Sequence, residues 1–231
     1  MQKRANVYVD GFNFYYRLRE MEWHPYGWCD FRKLAQARCP GYEIGLVKYF
    51  TAEDRRYPEK IGRQRSIWWS ALEYSGVKIF RGEYQRNEPY SEDPAEQGGK
   101  WREKKSDVSL VVEVLCDSMD RESGFDKVVL ITRDSDFHPL VRKLVAPPFD
   151  KQVLVLLPPS KSALTPAWLS AEGPHVTPYD LKLEDLKKAL LPRRVKKPGS
   201  EEYVEKFHAW KCAEDYHGEQ AAKAREMPTR R

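Results

Sequence analysis

An α/β fold with a mainly parallel sheet flanked by helices is what this sequence predicts, on three observations. Lys127–Thr132 (KVVLIT) and Gln152–Leu157 (QVLVLL) are short continuous apolar runs, the pattern of strands covered on both faces. Segments with helical spacing alternate with strands along the chain. The 231 residues, 41% hydrophobic and 32% charged, suffice for one globular domain with a full core and a short appendage.

The elements follow in order. Asn6–Asp10 (NVYVD) is a strand that stops at Gly11, with helical stretches from about Phe12 and near Phe31. Glu43–Phe50 is a second strand. Pro58 marks the start of a helix running to Gly76, and Val77–Gly82 is a third strand. Glu83–Lys100 carries Pro89, Pro94 and the Gly98–Gly99 pair, which predicts a loop or hairpin excursion. A helix from Asp107 to about Met119 sets Val108, Val111, Val112, Leu115 and Met119 on an apolar face, with Ser109, Glu113 and Asp117 as a polar stripe. Phe137–Val145 is helical, with Pro139 tolerated in the first turn. One domain is expected over 1–191. Residues 192–231 are expected to be a basic linker (Arg193, Arg194, Lys196, Lys197) and a helical or partly disordered tail, with a helix from Glu201 to about Tyr216.

No apolar run is long enough to span a bilayer. The start MQKRANVYVDG lacks a signal peptide's apolar stretch, so a cytoplasmic protein is expected. Cys29, Cys39, Cys116 and Cys212 form no C-x-x-C pair, and Cys116 is expected to be a buried hydrophobe. A net charge of +5 permits a polyanionic partner without requiring one.

Four carboxylates stand out. In open parallel sheets, ligands bind beyond the carboxyl ends of the strands. Asp10 ends the first strand there, and Asp134 and Asp136 follow KVVLIT at once. Asp107 opens its helix. Such groups must be solvated, paired or bound to a cation. Hard oxygen donors suit Mg²⁺ or Mn²⁺. The bland alternatives are helix caps for Asp107 or Ser106 and for Ser135 or Asp136, and a strand-ending turn at Asp10–Gly11.

YVDGFNFYY (8–16), EKKSDVSLVVEVL (103–115) and VVLITRDSDFHPLVRKL (128–144) resemble, in matching order, the signature blocks of the NYN domain family of the PIN-like nuclease superfamily. The resemblance implies a Rossmann-like (PIN-like) sheet and a divalent-metal ribonuclease, expected to be an endonuclease leaving 5′-phosphate and 3′-hydroxyl ends. Asp10, Asp107, Asp134 and Asp136 match the family's acidic residues, as both catalytic and metal-ligating groups. Asn13 matches a polar residue after the first acid. Two departures stand out: Arg133 and Ser106 occupy positions where the family usually or often has glycine. Arg133 is either strained there, paired with an aspartate, a plug in the site, or a phosphate contact, the last being favoured here.

Basic residues surround these blocks. Lys100, Arg102, Lys104 and Lys105 lead into Asp107, while Arg55, Arg56, Lys60, Arg63 and Arg65 open the helix after the second strand. Asn13, Lys60, Arg63, Lys104, Lys105 and Arg133 are the expected RNA contacts, for single-stranded or structured RNA. Trp68 is expected in the core; Trp101 either stacks on a base or packs under the loop. His138 is not needed as a base. Two other activities compete: an RNA-binding module that cuts poorly, and a phosphohydrolase with Asp10 as nucleophile. The latter is weakened because Phe12 stands where a D-x-D pair needs its second acid. Self-association is open, a homodimer included.

Overall fold

The computed structural model describes residues 2–53, 59–86, 101–120, 124–161, 166–170 and 173–206. In chain order the elements are β1 (Lys3–Asp10), α1 (Gly11–Glu20), α2 (Phe31–Gln36), β2 (Tyr42–Glu53), α3 (Glu59–Tyr74), β3 (Lys78–Arg86) and β4 (Trp101–Lys104). They continue with α4 (Ser106–Met119), β5 (Lys127–Ile131), α5 (His138–Val145), β6 (Gln152–Leu157), α6 (Ala167–Ser170), β7 (Val176–Asp180), α7 (Leu183–Lys188), β8 (Arg194–Lys196) and β9 (Tyr203–Glu205).

The main sheet runs β4-β3-β2-β1-β5-β6-β7, with every pair parallel except β3–β4. Counting only the parallel strands, the order is that of the doubly wound dinucleotide-binding folds, and it reverses between β1 and β5. The crevice at that reversal lies at the ends of Asp10 and Ile131, so topology alone puts the first and last acidic motifs together.

Strand alternation builds two cores. Ala5, Val7 and Val9 face one side with Phe14, Phe31, Trp68 and Leu72; Tyr8 faces the other with Leu110, Val114, Phe137 and Leu140. Asp10 follows the period of Tyr8, which turns it to the side of α4 and α5. Gly11 is there for space: a Cβ would meet the Tyr49 ring at 2.4 Å and the Phe50 carbonyl at 2.6 Å. Among the described residues no helix is long and apolar enough to cross a membrane.

The excursion after the third strand takes the hairpin form of the two expected: β3 extends to Arg86 and pairs antiparallel with β4, while 87–100 lie outside the described residues. Other expectations change. The basic stretch read as a linker contains β8, which pairs with β9 and packs against α3, and Val195 is 6% exposed in the core. The helix expected from Glu201 is strand at 203–205 and non-helical through 206; its positions 207–216, Cys212 among them, lie outside the described residues, as does Pro58. Cys116 is exposed, not buried.

The largest correction concerns α4. Three residues of its predicted apolar face are turned outward, with Val108 69% exposed, Val112 50% and Met119 70%, while Val111 and Leu115 are partly buried against the second core. The cause is Lys48, 4% exposed on β2. Its ammonium lies 2.7 Å from Glu113 and 2.6 Å from Asp117, and the Tyr8 hydroxyl donates to Asp117 at 2.9 Å. Burial alone would lower the Lys48 pKa; the hydrogen bonds and charges of Asp117 and Glu113 outweigh it and raise it. A buried cation left unpaired costs several kcal/mol, so the polar stripe is drawn inward to meet it.

Candidate active site

Asp10 ends β1 and caps α1. Its carboxylate accepts the Asn13 backbone N–H at 3.0 Å on Oδ1 and the Thr132 hydroxyl at 2.9 Å on Oδ2. Thr132, fully buried after β5, also accepts the Asp134 N–H at 3.1 Å. One hydroxyl therefore joins the two acidic motifs. Asp134 in turn caps the 3-10 turn of Ser135–Phe137 by accepting the Asp136 N–H at 3.0 Å. The Asn13 side-chain oxygen accepts the Arg133 N–H at 2.9 Å, which ties α1 to the β5 loop a second time. Capping and site-building are thus the same contacts for Asp10 and Asp134.

The electrostatics bring in the remaining two acids. Asp10 is 6% exposed and its pKa is pushed up to about 6. Burial is the main cause, the Asn13 and Thr132 hydrogen bonds oppose it, and the charges of Asp107 and Asp134 add to it. Asp107, on the first turn of α4, is raised by desolvation and then by Asp134 and Asp136. Carboxylates 10, 107, 134 and 136 therefore share one field at one edge of the sheet. Among the described residues no three His, Cys, Asp or Glu groups close into a cage around one ion. The donor set still fits a hard cation of the Mg²⁺ type, which commonly takes one or two carboxylates and completes its shell with water and substrate phosphate.

Lys105 precedes α4 with φ at 81°, a left-handed conformation rare for a residue with a side chain, and it is exposed beside Asp107. Ser106 is buried. Register carries the β3–β4 arm beyond the carboxyl edge of the sheet, two to three strands to the side of β1. Asp10 pairs with Phe50 and Phe50 with Phe80, whereas Lys104 pairs with Glu83, three residues further out. At about 3.3 Å per residue the backbone at Lys104 stands roughly 10 Å beyond the level of Asp10. Arg63 is exposed on α3, and Lys60 is in its first turn. The side chains of Lys60, Trp101, Arg102 and Lys104, and all of Arg55, Arg56 and Lys100, lie outside the described residues. His138 packs its ring 5.3 Å from that of Trp168.

Arg133 departs from the phosphate contact expected of it. Its side chain is 7% exposed, donates from Nε to the Pro158 carbonyl at 2.9 Å and pairs with Asp180 at the end of β7. Its φ is not positive, so arginine is not strained where glycine is usual. The guanidinium braces the loop after β5 against β6 and β7. Thr132 is the residue that sequence reasoning missed; inside an apolar run a threonine signals only a strand.

The family model of the NYN domain matches residues 4–176. The chain belongs to the NYN domain family. That places it with the PIN-like nucleases, a nuclease-type assignment. No curated protein matches it. A solved structure, a protein of unknown function VPA0982 from Vibrio parahaemolyticus, is similar at 20% identity and a TM-score of 0.53, covering 82% of this chain and 97% of its own. At that identity the likeness concerns the fold, and it supports the arrangement of this NYN domain's sheet and helices.

Proposed function

We propose that this NYN domain is a divalent-metal-dependent ribonuclease that hydrolyses RNA phosphodiesters at Asp10, Asp107, Asp134 and Asp136. The observation that carries this reading is the coupling of these carboxylates at the reversal point of the sheet, with Asp10 raised to about 6. Concentrated negative charge without a counter-cation destabilises a fold, and a site of this kind is where a cation and a phosphate relieve it.

Asp10, Asp107, Asp134 and Asp136 would hold Mg²⁺ or Mn²⁺. When bound, such an ion lowers the pKa of a coordinated water and neutralises charge building on the phosphate. The chain's own residues do the rest. The Asn13 backbone amide and the Thr132 hydroxyl fix both oxygens of Asp10 in one orientation. Asn13 also holds the Arg133 backbone, and so the start of the Asp134–Asp136 turn, against α1. Lys105, with Lys60, Arg63 and Lys104, supplies cations for the flanking phosphates of single-stranded or structured RNA. An endonuclease acting in the cytoplasm is the form of the activity proposed.

The test is incubation of end-labelled RNA with the full chain and Mn²⁺, with a chelator control. Cleavage that chelator and Asp134→Asn both abolish supports the reading. RNA binding with no cleavage at any metal concentration replaces it with the binding-module reading.

A further inference from the structure

α4 carries apolar residues on two opposite sides. Leu110 and Val114 are buried against the sheet, with Glu113 and Asp117 held beside them by Lys48. On the far side Val108, Val112, Cys116 and Met119 are exposed, with Val111 and Leu115 half-buried between them. Their spacing of three and four is that of a helix face packed on another helix. At about 1.5 Å per residue the stripe is roughly 16 Å long. Beside its first half runs a groove of about 600 Å³ lined by Phe80, Lys105, Val108, Ser109, Val112 and Glu113.

We propose that this face is a two-fold interface, on which a second copy of this chain lays its own α4 antiparallel. A two-fold axis passing between the levels of Val112 and Leu115 sets Met119 of the second copy beside Val108, at the mouth of the groove. The same operation repeats at the other end, so each copy contributes one exposed knob and one groove, as a self-complementary contact requires. Charge selects the direction. Lys105 at the start of the helix and Asp120 just past its end lie on the same flank, about 60° apart at 100° per residue. Antiparallel pairing brings each Lys105 to the Asp120 end of the other helix, where the carbonyl terminus also favours a cation. Parallel pairing would set lysine against lysine and aspartate against aspartate. Between those two ends the outward positions carry no Lys, Arg, Asp or Glu, the composition of an interface centre. A nucleic acid or an anionic membrane would call for cations along the face, which has them only at the Lys105 end. Asp107 falls on the other flank, so the carboxylate site stays open in the pair.

Light scattering on the full chain after size-exclusion chromatography tests this. The wild type is expected at twice 27.1 kDa. Met119→Glu and Val112→Glu, both at exposed positions, are expected at the single-chain mass with unchanged circular dichroism and melting temperature. Lys105→Glu should weaken association severalfold, and adding Asp120→Lys should restore it. A wild type at the single-chain mass at every concentration, as when residues 207–231 cover this face within one copy, overturns the proposal. So does a dimer that survives both glutamate substitutions.

Discussion

The Thr132 hydroxyl donates to Asp10 at 2.9 Å and accepts the Asp134 N–H at 3.1 Å, so one fully buried oxygen sets the spacing of two acidic motifs that are more than a hundred residues apart in sequence. Thr132→Val keeps the shape and removes both contacts. It leaves a buried N–H and a carboxylate oxygen unsatisfied, at a cost of about 1–3 kcal/mol in denaturant unfolding. Asp10 also loses a donor that favours its charged form, so its pKa rises further. The acid limb of the cleavage–pH profile is expected to move to higher pH. An unmoved limb with normal folding would show that Asp10 is not the group that titrates.

Asp10 gives the fold a characteristic pH dependence. Its carboxyl is pushed from 3.8 to about 6 on folding. Between those values the native state holds a proton that the unfolded chain has released, so stability is greatest below the window. It declines as pH rises through it and stays lower above. A shift of this size corresponds to a penalty on the order of 2–3 kcal/mol at neutral pH without metal. Asp10→Asn should therefore melt higher than wild type at pH 7 while losing activity, and the difference should shrink towards pH 4. Melting curves in chelator across that range check it; a mutant that melts lower at pH 7 would show that hydrogen bonding outweighs desolvation at Asp10.

Arg133 is a brace, and the prediction for it follows from its partners Asp180 and Pro158. Arg133→Ala leaves the Pro158 carbonyl without its donor and opens space under the loop, so stability should fall by about 1–3 kcal/mol. RNA affinity should keep its dependence on salt. A phosphate contact would instead make the slope shallower by about 0.7 on a single strand. Binding titrations at several salt concentrations distinguish the two.

The parts of this structure that were legible in sequence are those whose neighbours are local or uniformly apolar. β5 and β6 are covered on both faces and announce themselves as runs of Val and Leu. Asp10 and the Asp134–Asp136 motif could be placed at one edge because strand ends are easy to locate, whereas Asp107 opens α4 and was singled out by its helix start and by the resemblance. β7 was missed because VTPYD contains Pro178 and only Val176 in it is buried, both features of an edge strand. Missing β7 hid Asp180, and without Asp180 the side chain of Arg133 had no visible partner. Which face of α4 points inward was decided by Lys48, far away on β2; helical periodicity marked Val108, Val112 and Met119 as the apolar face and Glu113 and Asp117 as the polar stripe, and could not weigh that distant cation.

Cation binding should be visible in the fold before any cleavage is measured. A ligand that binds only the native state stabilises it by about 2.7 kcal/mol at a hundredfold excess over its dissociation constant. Mn²⁺ should therefore raise the melting temperature of the wild type, and chelator should return it. The rise should be larger at pH 7 than at pH 5, because Asp10 with a pKa of about 6 is mostly protonated at the lower pH and a proton competes with the metal. Asp107→Asn and Asp134→Asn should each flatten the response, since each removes a charge from the shared field. Arg63→Ala, on the exposed surface of α3, should preserve it. A response of equal size in all four proteins would place the ion elsewhere, and the four carboxylates would then be a repulsive cluster tolerated for reasons other than metal. A response lost in Asp134→Asn but kept in Asp107→Asn would narrow the site to the two motifs that Thr132 joins, leaving Asp107 to act on the substrate side.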